Sequence, residues 1–145
     1  MKTGIILQAR TGSTRYPNKI LQNIHGSKTL LDFVVSRIKQ ALPNTKLVIA
    51  TTTNSEDDSI CKISDNLEID YFRGSEHNVL LRYINAAKQF NFTNIIRVCS
   101  DNPFIDIQGL NQLKDFSEKT NADYCGFLIK NTLPSIKSHL GFWGE

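Results

Sequence analysis

The chain has 145 residues, of which 40% are hydrophobic and 21% are charged, as is typical of a single globular domain with its own core. The net charge of +3 suits an anionic ligand but falls short of the clustered basic surface that binds nucleic acid. No apolar run approaches the length of a membrane span, so neither nucleic-acid nor membrane partners are expected.

The cysteines and histidines argue against a disulfide framework and a zinc centre. The three cysteines lie far apart in apolar patterns without a CxxC pair, which is typical of buried free thiols in a reducing compartment. The three histidines show neither an HExxH motif nor paired spacing. An apolar run follows Met1 almost directly, without a signal peptide, and these features together predict a cytoplasmic protein.

A predicted buried strand and a polar loop open the chain. The apolar run at residues 5–7 predicts a strand that is buried on both faces. Residues 10–19, called here the basic loop, contain Gly12, three cations and three hydroxyl side chains: Arg10, Arg15, Lys19, Thr11, Ser13 and Thr14. Backbone N–H groups freed by Gly12, beside positive charge at the carboxyl end of a strand, suit a polyphosphate. An ordinary basic surface loop is the alternative, although charge alone does not explain the Gly-Ser-Thr run.

Strand and helix patterns alternate along the rest of the chain. A short extended piece is predicted at 20–24, a turn at 26–27, and strands at 46–50, 68–72, 93–99 and 122–127. Apolar stripes at helical spacing predict helices at 29–42, 79–90 and 107–119. This alternation predicts an α/β fold with a mostly parallel sheet covered by helices on both faces.

An acidic run follows the predicted strand at 46–50. We interpret residues 55–58 (SEDD) as a helix N-cap with acidic residues in the first turn, where the helix dipole stabilises negative charge. A metal site formed by these carboxylates is the alternative, and capping is the favoured interpretation.

Asp101 is the candidate metal ligand. It directly follows the apolar run at 95–99, where a carboxylate is unfavourable without a partner. The parallel sheet predicted above puts it on the same edge as the basic loop. This combination suggests a metal-bound nucleoside triphosphate, with Asp101 holding Mg²⁺, which takes one or two carboxylates besides phosphate oxygens. The alternatives are that Asp101 caps the following turn or pairs with Arg97.

Four segments resemble blocks of one known family in the same order: QARTGSTRYPNK, ATTTNSEDD, YFRGSEHNVLLRY and RVCSDNPFID. The first is similar to the signature loop of the sugar cytidylyltransferases. The set resembles in particular the branch of spore-coat polysaccharide biosynthesis proteins, related to acylneuraminate and 3-deoxy-manno-octulosonate cytidylyltransferases. The likeness runs from about residue 4 to residue 127. Neither a Walker A lysine pattern nor GxGxxG is present, which argues against P-loop and NAD-binding proteins.

The resemblance implies a three-layer α/β/α, Rossmann-like fold of the nucleotide-diphospho-sugar transferase (GT-A-like) class. It also implies that residues 1–145 are a single nucleotide-binding domain, truncated relative to a longer family domain of which they form the N-terminal part. The other half normally supplies sugar-pocket residues, a second metal carboxylate and a dimerisation arm. The isolated chain is therefore expected to turn over poorly or not at all, and to form a homodimer only if that arm is present.

The resemblance assigns roles to individual residues, with Mg²⁺ as the cofactor. Arg73 and Ser75 are implied to lie near the cytosine and ribose, and Asp101 to bind the metal. The implied catalytic residues are Arg15, Lys19 and Asp101. The residues of the basic loop implied to bind the CTP triphosphate are Arg10, Gly12, Ser13, Arg15 and Lys19.

The implied reaction is cytidylyl transfer for surface polysaccharide biosynthesis. An oxygen of a sugar or sugar phosphate attacks the α-phosphorus of CTP, and the products are a CMP-sugar and pyrophosphate. No covalent enzyme intermediate is needed, so catalysis depends on positioning and charge stabilisation. A nucleotide-binding module without turnover and a scaffold or assembly partner are the alternatives. The sequence identifies neither the sugar nor a choice of CTP over UTP.

Overall fold

Four parallel strands form the central sheet of the computed structural model, which describes residues 1–13, 16–120 and 122–126. Two further strands form a separate hairpin. In chain order, the strands of the described residues are β1 (Thr3–Gln8), β2 (Asn23–His25), β3 (Lys28–Thr29), β4 (Lys46–Thr52), β5 (Asp70–Gly74) and β6 (Asn94–Cys99). Across the central sheet the order is β5-β4-β1-β6, while β2 and β3 pair separately as an antiparallel hairpin. The central strand β1 pairs in register with both neighbours, since Ile5 lies between Leu47 and Ile96.

The described part of the chain also forms four α-helices, which are α1 (Leu30–Ala41), α2 (Asp58–Asn66), α3 (Val79–Phe90) and α4 (Ile107–Lys119). Successive side chains of a strand point to opposite faces, so β1 contributes to two cores. Ile5 and Leu7 pack with residues of α1, α2 and α4, whereas Ile6 packs with Tyr83 of α3. Helices therefore cover both faces of the sheet, which confirms the predicted three-layer α/β architecture.

Local sequence signals account well for the helix boundaries. The bounds of α3 and α4 match the predicted helices at 79–90 and 107–119. Helix α1 begins behind a capping box in which Thr29 Oγ1 accepts from the N–H of Asp32, whose carboxylate accepts from the N–H of Thr29 at 2.7 Å. No helix of the described residues has the length and apolar character needed to cross a membrane.

One local prediction holds in part and another is wrong. The extended piece predicted at 20–24 is extended at residues 23–24, which belong to β2, but it begins as a 3-10 turn, Lys19–Leu21. The turn forms because Asn18 has a left-handed backbone with φ 56° and its carbonyl accepts from the N–H of Leu21. The strand predicted at 122–127 is absent from residues 122–126, and Phe127 lies outside the described residues. Residues 122–126 are exposed apart from the partly buried Cys125, so they lack the buried apolar face that a strand here would need.

The packing of β1 against Phe92 predicts a marked effect of adding one methyl group. A Cβ at Gly4 would lie 2.4 Å from atoms of the Phe92 ring, which is buried and stacked on Phe90. We expect Gly4→Ala to lower the free energy of unfolding by about 1–3 kcal/mol, the usual effect of overpacking a core. Urea denaturation measures this change.

The matched control is Gly12→Ala, since a Cβ at Gly12 would meet no described atom closer than Glu76 Oε1 at 3.8 Å. Its stability should stay within about 0.5 kcal/mol of the wild-type value. The double variant Gly4→Ala/Phe92→Leu should be more stable than the sum of the two single effects predicts. Wild-type stability in Gly4→Ala would show that the packing of β1 on Phe92 is misplaced.

Candidate functional site

A cavity opens at the carboxyl edge of the sheet, between β1 and β6. The chain runs from β1 to β4 and β5 on one side and then crosses to β6 on the other, so the strand order reverses beside β1. Open α/β sheets bind their ligands in the crevice at such a reversal. The cavity has a volume of about 310 Å³ and is lined by Gln8, Arg10, Gly12, Ser13, Lys19, Ile20, Arg97, Cys99, Ser100 and Asp101.

The structure brings five of the predicted site residues to this cavity: Arg10, Gly12, Ser13, Lys19 and Asp101. Arg15 lies outside the described residues, so its position stays a prediction. The conformation of Gly12 does not itself demand glycine, because its φ is not in the left-handed region and a Cβ would fit. The nucleotide-binding roles of these residues are likewise predictions.

Lys19 and Asp101 form an ion pair across the mouth of the cavity. Lys19 Nζ donates to Asp101 Oδ2 at 2.9 Å, and the two side chains are 33% and 53% exposed. The pair joins the end of the basic loop to the turn after β6. Asp101 therefore has a cation partner, although it is Lys19 rather than the Arg97 considered from the sequence.

Arg10 lies between this cavity and a second one. Its guanidinium is 3.7 Å from Glu76 Oε1, while Glu76 Oε2 accepts from Asn54 Nδ2 at 2.7 Å. The second cavity has a volume of about 670 Å³ and is lined by Arg10, Thr11, Gly12, Ser13, Pro17, Asn18, Glu56 and Glu76. The two cavities thus share Arg10, Gly12 and Ser13 of the basic loop.

Arg73 connects β5 to the segment that follows β4. Its guanidinium donates to the carbonyls of Thr52 at 2.9 Å and Asn54 at 2.7 Å, and to Asp58 Oδ1 at 2.6 Å. The hydrogen bond to Asp58 raises the pKa of Arg73. Arg73 is not among the described residues that line the two cavities, and its predicted contact with the base stays a prediction.

Ser75 belongs to the turn that leads into α3. Its Oγ accepts from the N–H of Asn78 at 3.0 Å, and its carbonyl accepts from the fully buried guanidinium of Arg82. Burial lowers the pKa of Arg82. These contacts order the turn at Ser75 from inside the protein, and the predicted role of Ser75 beside the ribose stays a prediction.

Asp57 is the residue whose role the sequence interpretation missed. Its carboxylate is not used as a helix cap: it accepts from the backbone and hydroxyl of both Thr11 and Thr52. Burial alone would raise the pKa of Asp57, but the hydrogen bonds from Thr52 and Thr11 outweigh it and hold the pKa below its ordinary value. The interpretation of residues 55–58 therefore holds in part. Acidic residues do occupy the first turns of the 3-10 helix Ser55–Asp57 and of α2, but neither start has a side-chain capping hydrogen bond. Asp58 pairs with Arg73. Aspartate at a helix start is so common that the sequence carried no specific signal for this contact.

Tyr83 of α3 contacts two residues that line the cavity, Gln8 of β1 and Arg97 of β6. The Tyr83 hydroxyl donates to Gln8 Oε1 at 3.4 Å, and the Arg97 guanidinium lies 5.4 Å from the centre of the Tyr83 ring. Burial raises the pKa of Tyr83 and that of the Cys99 thiol. Both groups are therefore neutral near pH 7 and add no negative charge to this side of the cavity.

The described residues fit a metal ion that is held mainly by its ligand. They contain no group of three or more His, Cys, Asp or Glu side chains able to enclose a metal. Asp101 offers one half-exposed carboxylate, and the buried Oδ1 of the neighbouring Asn102 has no hydrogen-bond partner among the described residues. Hard oxygen donors of this kind suit Mg²⁺, which is commonly bound by one or two carboxylates together with phosphate oxygens and water.

Comparison with known proteins adds independent information. Residues 4–135 match the cytidylyltransferase family. The chain is 37% identical over 123 residues to the spore coat polysaccharide biosynthesis protein SpsF of Bacillus subtilis, a match that covers 82% of this chain and 51% of that protein. It is 34% identical over 140 residues to an uncharacterized protein of Methanocaldococcus jannaschii, covering 97% of this chain and 56% of that protein. The chain thus spans about half the length of the curated relatives it matches.

Solved structures agree with the fold. A cytidylyltransferase from Leptospira borgpetersenii superposes with a TM-score of 0.75 at 38% identity, over 80% of this chain and 48% of that chain. The structure of CMP:2-keto-3-deoxy-manno-octonic acid synthetase complexed with CTP superposes with a TM-score of 0.68 over 81% of this chain and 48% of that chain. At 20% identity the second likeness shows the fold alone. The fold class expected from the sequence resemblance is confirmed.

Proposed function

The chain belongs to the cytidylyltransferase family, and from this premise we propose that the cavity between β1 and β6 binds CTP for cytidylyl transfer to a sugar or sugar phosphate. The observation that carries the proposal is the convergence of Arg10, Lys19 and Asp101 on one cavity at the reversal of strand order. Cations and a carboxylate at one edge are the groups that a metal-bound triphosphate requires.

Two of the cations that line the cavity already have protein partners. Arg10 is paired with Glu76 and Lys19 with Asp101, and both pairs are at least partly exposed. Exposed pairs of this kind contribute only about 0–1 kcal/mol, so phosphate oxygens can replace Glu76 at Arg10 at little expense. A phosphate chain that reaches both cations would lie along the basic loop and end beside Asp101.

The proposed chemistry needs charge stabilisation more than proton transfer. An acceptor oxygen attacks the α-phosphorus while the bond to the β-phosphate oxygen breaks, and negative charge grows on the departing pyrophosphate. Lys19 and Arg10 stabilise that charge, and we propose the same role for Arg15. Mg²⁺, held by Asp101, would supply further neutralisation at the phosphates when bound.

The similarity to SpsF of Bacillus subtilis supports a product destined for polysaccharide. We propose an acceptor that carries either an anomeric hydroxyl or a phosphate, because both supply an oxygen nucleophile for the α-phosphorus.

Nucleotide binding is the first result to test. We expect CTP with Mg²⁺ to raise the melting temperature more than ATP or GTP does, with UTP included to measure selectivity within the pyrimidines. A ligand at about 100 times its Kd stabilises the native state by about 2.7 kcal/mol, which corresponds to a shift of several degrees. Differential scanning fluorimetry across the four nucleotides measures the effect. Absence of any shift at millimolar concentrations would contradict the proposal.

Turnover distinguishes the enzyme from a nucleotide-binding module. A pyrophosphate-release assay with CTP and a panel of acidic sugars, neutral sugars and sugar phosphates makes this distinction. Because the chain spans about half the length of the curated relatives it matches, we expect weak release or none. Robust release with one acceptor class would show that the acceptor site lies within these residues. CTP binding without release for any acceptor would favour the binding module, and loss of all nucleotide affinity would favour a scaffold.

A further inference from the structure

The buried carboxylate of Asp57 joins the basic loop to the end of β4. Asp57 is 2% exposed, and each of its two carboxylate oxygens accepts hydrogen bonds from one of these two segments. Oδ1 accepts from Thr11 N at 2.8 Å and Thr11 Oγ1 at 2.7 Å. Oδ2 accepts from Thr52 N at 3.2 Å and Thr52 Oγ1 at 2.5 Å. A buried carboxylate is tolerated because these four hydrogen bonds replace its hydration.

Thr11 passes this restraint on to the cations of the loop. The residue is 3% exposed, and its carbonyl accepts from the N–H of Asn18 at 3.1 Å, which closes the loop. Asn18 then starts the 3-10 turn Lys19–Leu21 with a left-handed backbone of φ 56°. Arg10 directly precedes Thr11, and Lys19 directly follows Asn18. One carboxylate therefore fixes the backbone at both ends of the basic loop, next to the two described cations.

We infer that Asp57 is a positioning residue for nucleotide binding, acting through Thr11 to hold Arg10 and Lys19 against the phosphates. The inference rests on the function proposed above. Asp57 itself lies among buried threonines and is not among the described residues that line the two cavities. Asp57 acts without contacting the nucleotide, by fixing the positions of Arg10 and Lys19, which do contact it. Preorganised donors bind more tightly because ligand binding then need not order the loop.

The chain contains a matched control in Asp32. Its carboxylate also accepts from a threonine, namely from Thr29 N at 2.7 Å and Thr29 Oγ1 at 2.8 Å, but it caps α1 and lines neither cavity. Asp57→Asn and Asp32→Asn both exchange a hydrogen-bonded carboxylate for an amide. A purely structural role of Asp57 predicts that both variants lose stability and keep their affinity for nucleotide.

The experiment measures CTP affinity by isothermal titration calorimetry at a temperature where circular dichroism shows each variant to be folded. We expect Asp57→Asn to bind CTP about tenfold more weakly than wild type, and Asp32→Asn to stay within about twofold. Amide hydrogen exchange followed by NMR should also show faster exchange at Thr11 in Asp57→Asn, with the core amides of β1 unchanged. CTP affinity within twofold of wild type in folded Asp57→Asn would overturn the inference.

Two variants of Thr11 test the same contact from the loop. Thr11→Ser keeps both donors and should bind CTP as wild type does, whereas Thr11→Val loses the hydroxyl and should bind more weakly. If Asp57→Asn does not fold, equal affinity of the Ser and Val variants overturns the inference. If wild type itself binds no CTP, the proposed function fails. In that case the rate of amide hydrogen exchange at Thr11 tests the positioning role by itself. An unchanged rate in Asp57→Asn would overturn that role.

Discussion

Replacing Lys19 by alanine is expected to weaken CTP binding by roughly tenfold to a hundredfold, since a hydrogen bond to a charged group contributes about 1.5–3 kcal/mol. The side chain lies at the mouth of the cavity and is held by Asp101 at 2.9 Å, so it is placed beside the position proposed for the phosphates. Being one-third exposed, it can be removed without opening the core. Calorimetric titration with CTP measures the loss, and Arg15→Ala is expected to act in the same direction.

The ion pair of Lys46 and Asp70 provides the control. These residues begin β4 and β5, so the pair lies at the amino edge of the sheet, opposite the cavity, with side chains 50% and 48% exposed. Lys46→Ala removes the same charge from the chain and from a similar pair, and it should leave CTP affinity unchanged. Equal weakening by Lys19→Ala and Lys46→Ala would mean that overall charge, not the basic loop, governs binding. A folded Lys19→Ala variant with wild-type affinity would favour the alternative that the basic loop is an ordinary surface loop.

Asp101→Asn is expected to abolish the dependence of nucleotide binding on Mg²⁺. Asp101 supplies the carboxylate at the cavity, and an amide cannot provide its negative charge to a hard cation. The wild-type protein should bind CTP more tightly with Mg²⁺ than with EDTA, and the two affinities should coincide in the variant. The same substitution frees Lys19 from its partner, so binding in EDTA should hold or improve.

Asp70→Asn is the matched control for this variant, since it removes the carboxylate of the Lys46–Asp70 pair. It should keep the full difference between Mg²⁺ and EDTA. Because Asp101 is about half exposed, its replacement should also leave the melting temperature close to that of wild type. A variant that retains the metal dependence would show that the metal is bound elsewhere.

The spacing of apolar residues along the chain was sufficient to predict most of the helices and strands. The apolar stripes of α3 and α4 predicted both helices with their observed bounds, because a helix buries every third or fourth residue. The apolar runs of β1 and β4 predicted strands buried on both faces, because a covered parallel strand carries apolar side chains on both sides. The run of β6 also predicted a strand, but β6 is at the edge of the sheet and is buried only at alternate residues. Parallel strands end at a common edge, so the shared location of the basic loop and Asp101 also followed from the sequence.

The tertiary structure decided which groups meet at that edge. Lys19 pairs with a carboxylate 82 residues away, and Asp57 binds Thr11 at a separation of 46 residues. An aspartate that caps a helix cannot be distinguished in the sequence from one that accepts hydrogen bonds from a distant loop, because both occur at the start of a helix. The run at 122–126 reads as a strand but lies mostly exposed. Periodicity reports which side of an element is apolar, whereas a hydrogen-bond partner depends on how separate elements are brought together in three dimensions.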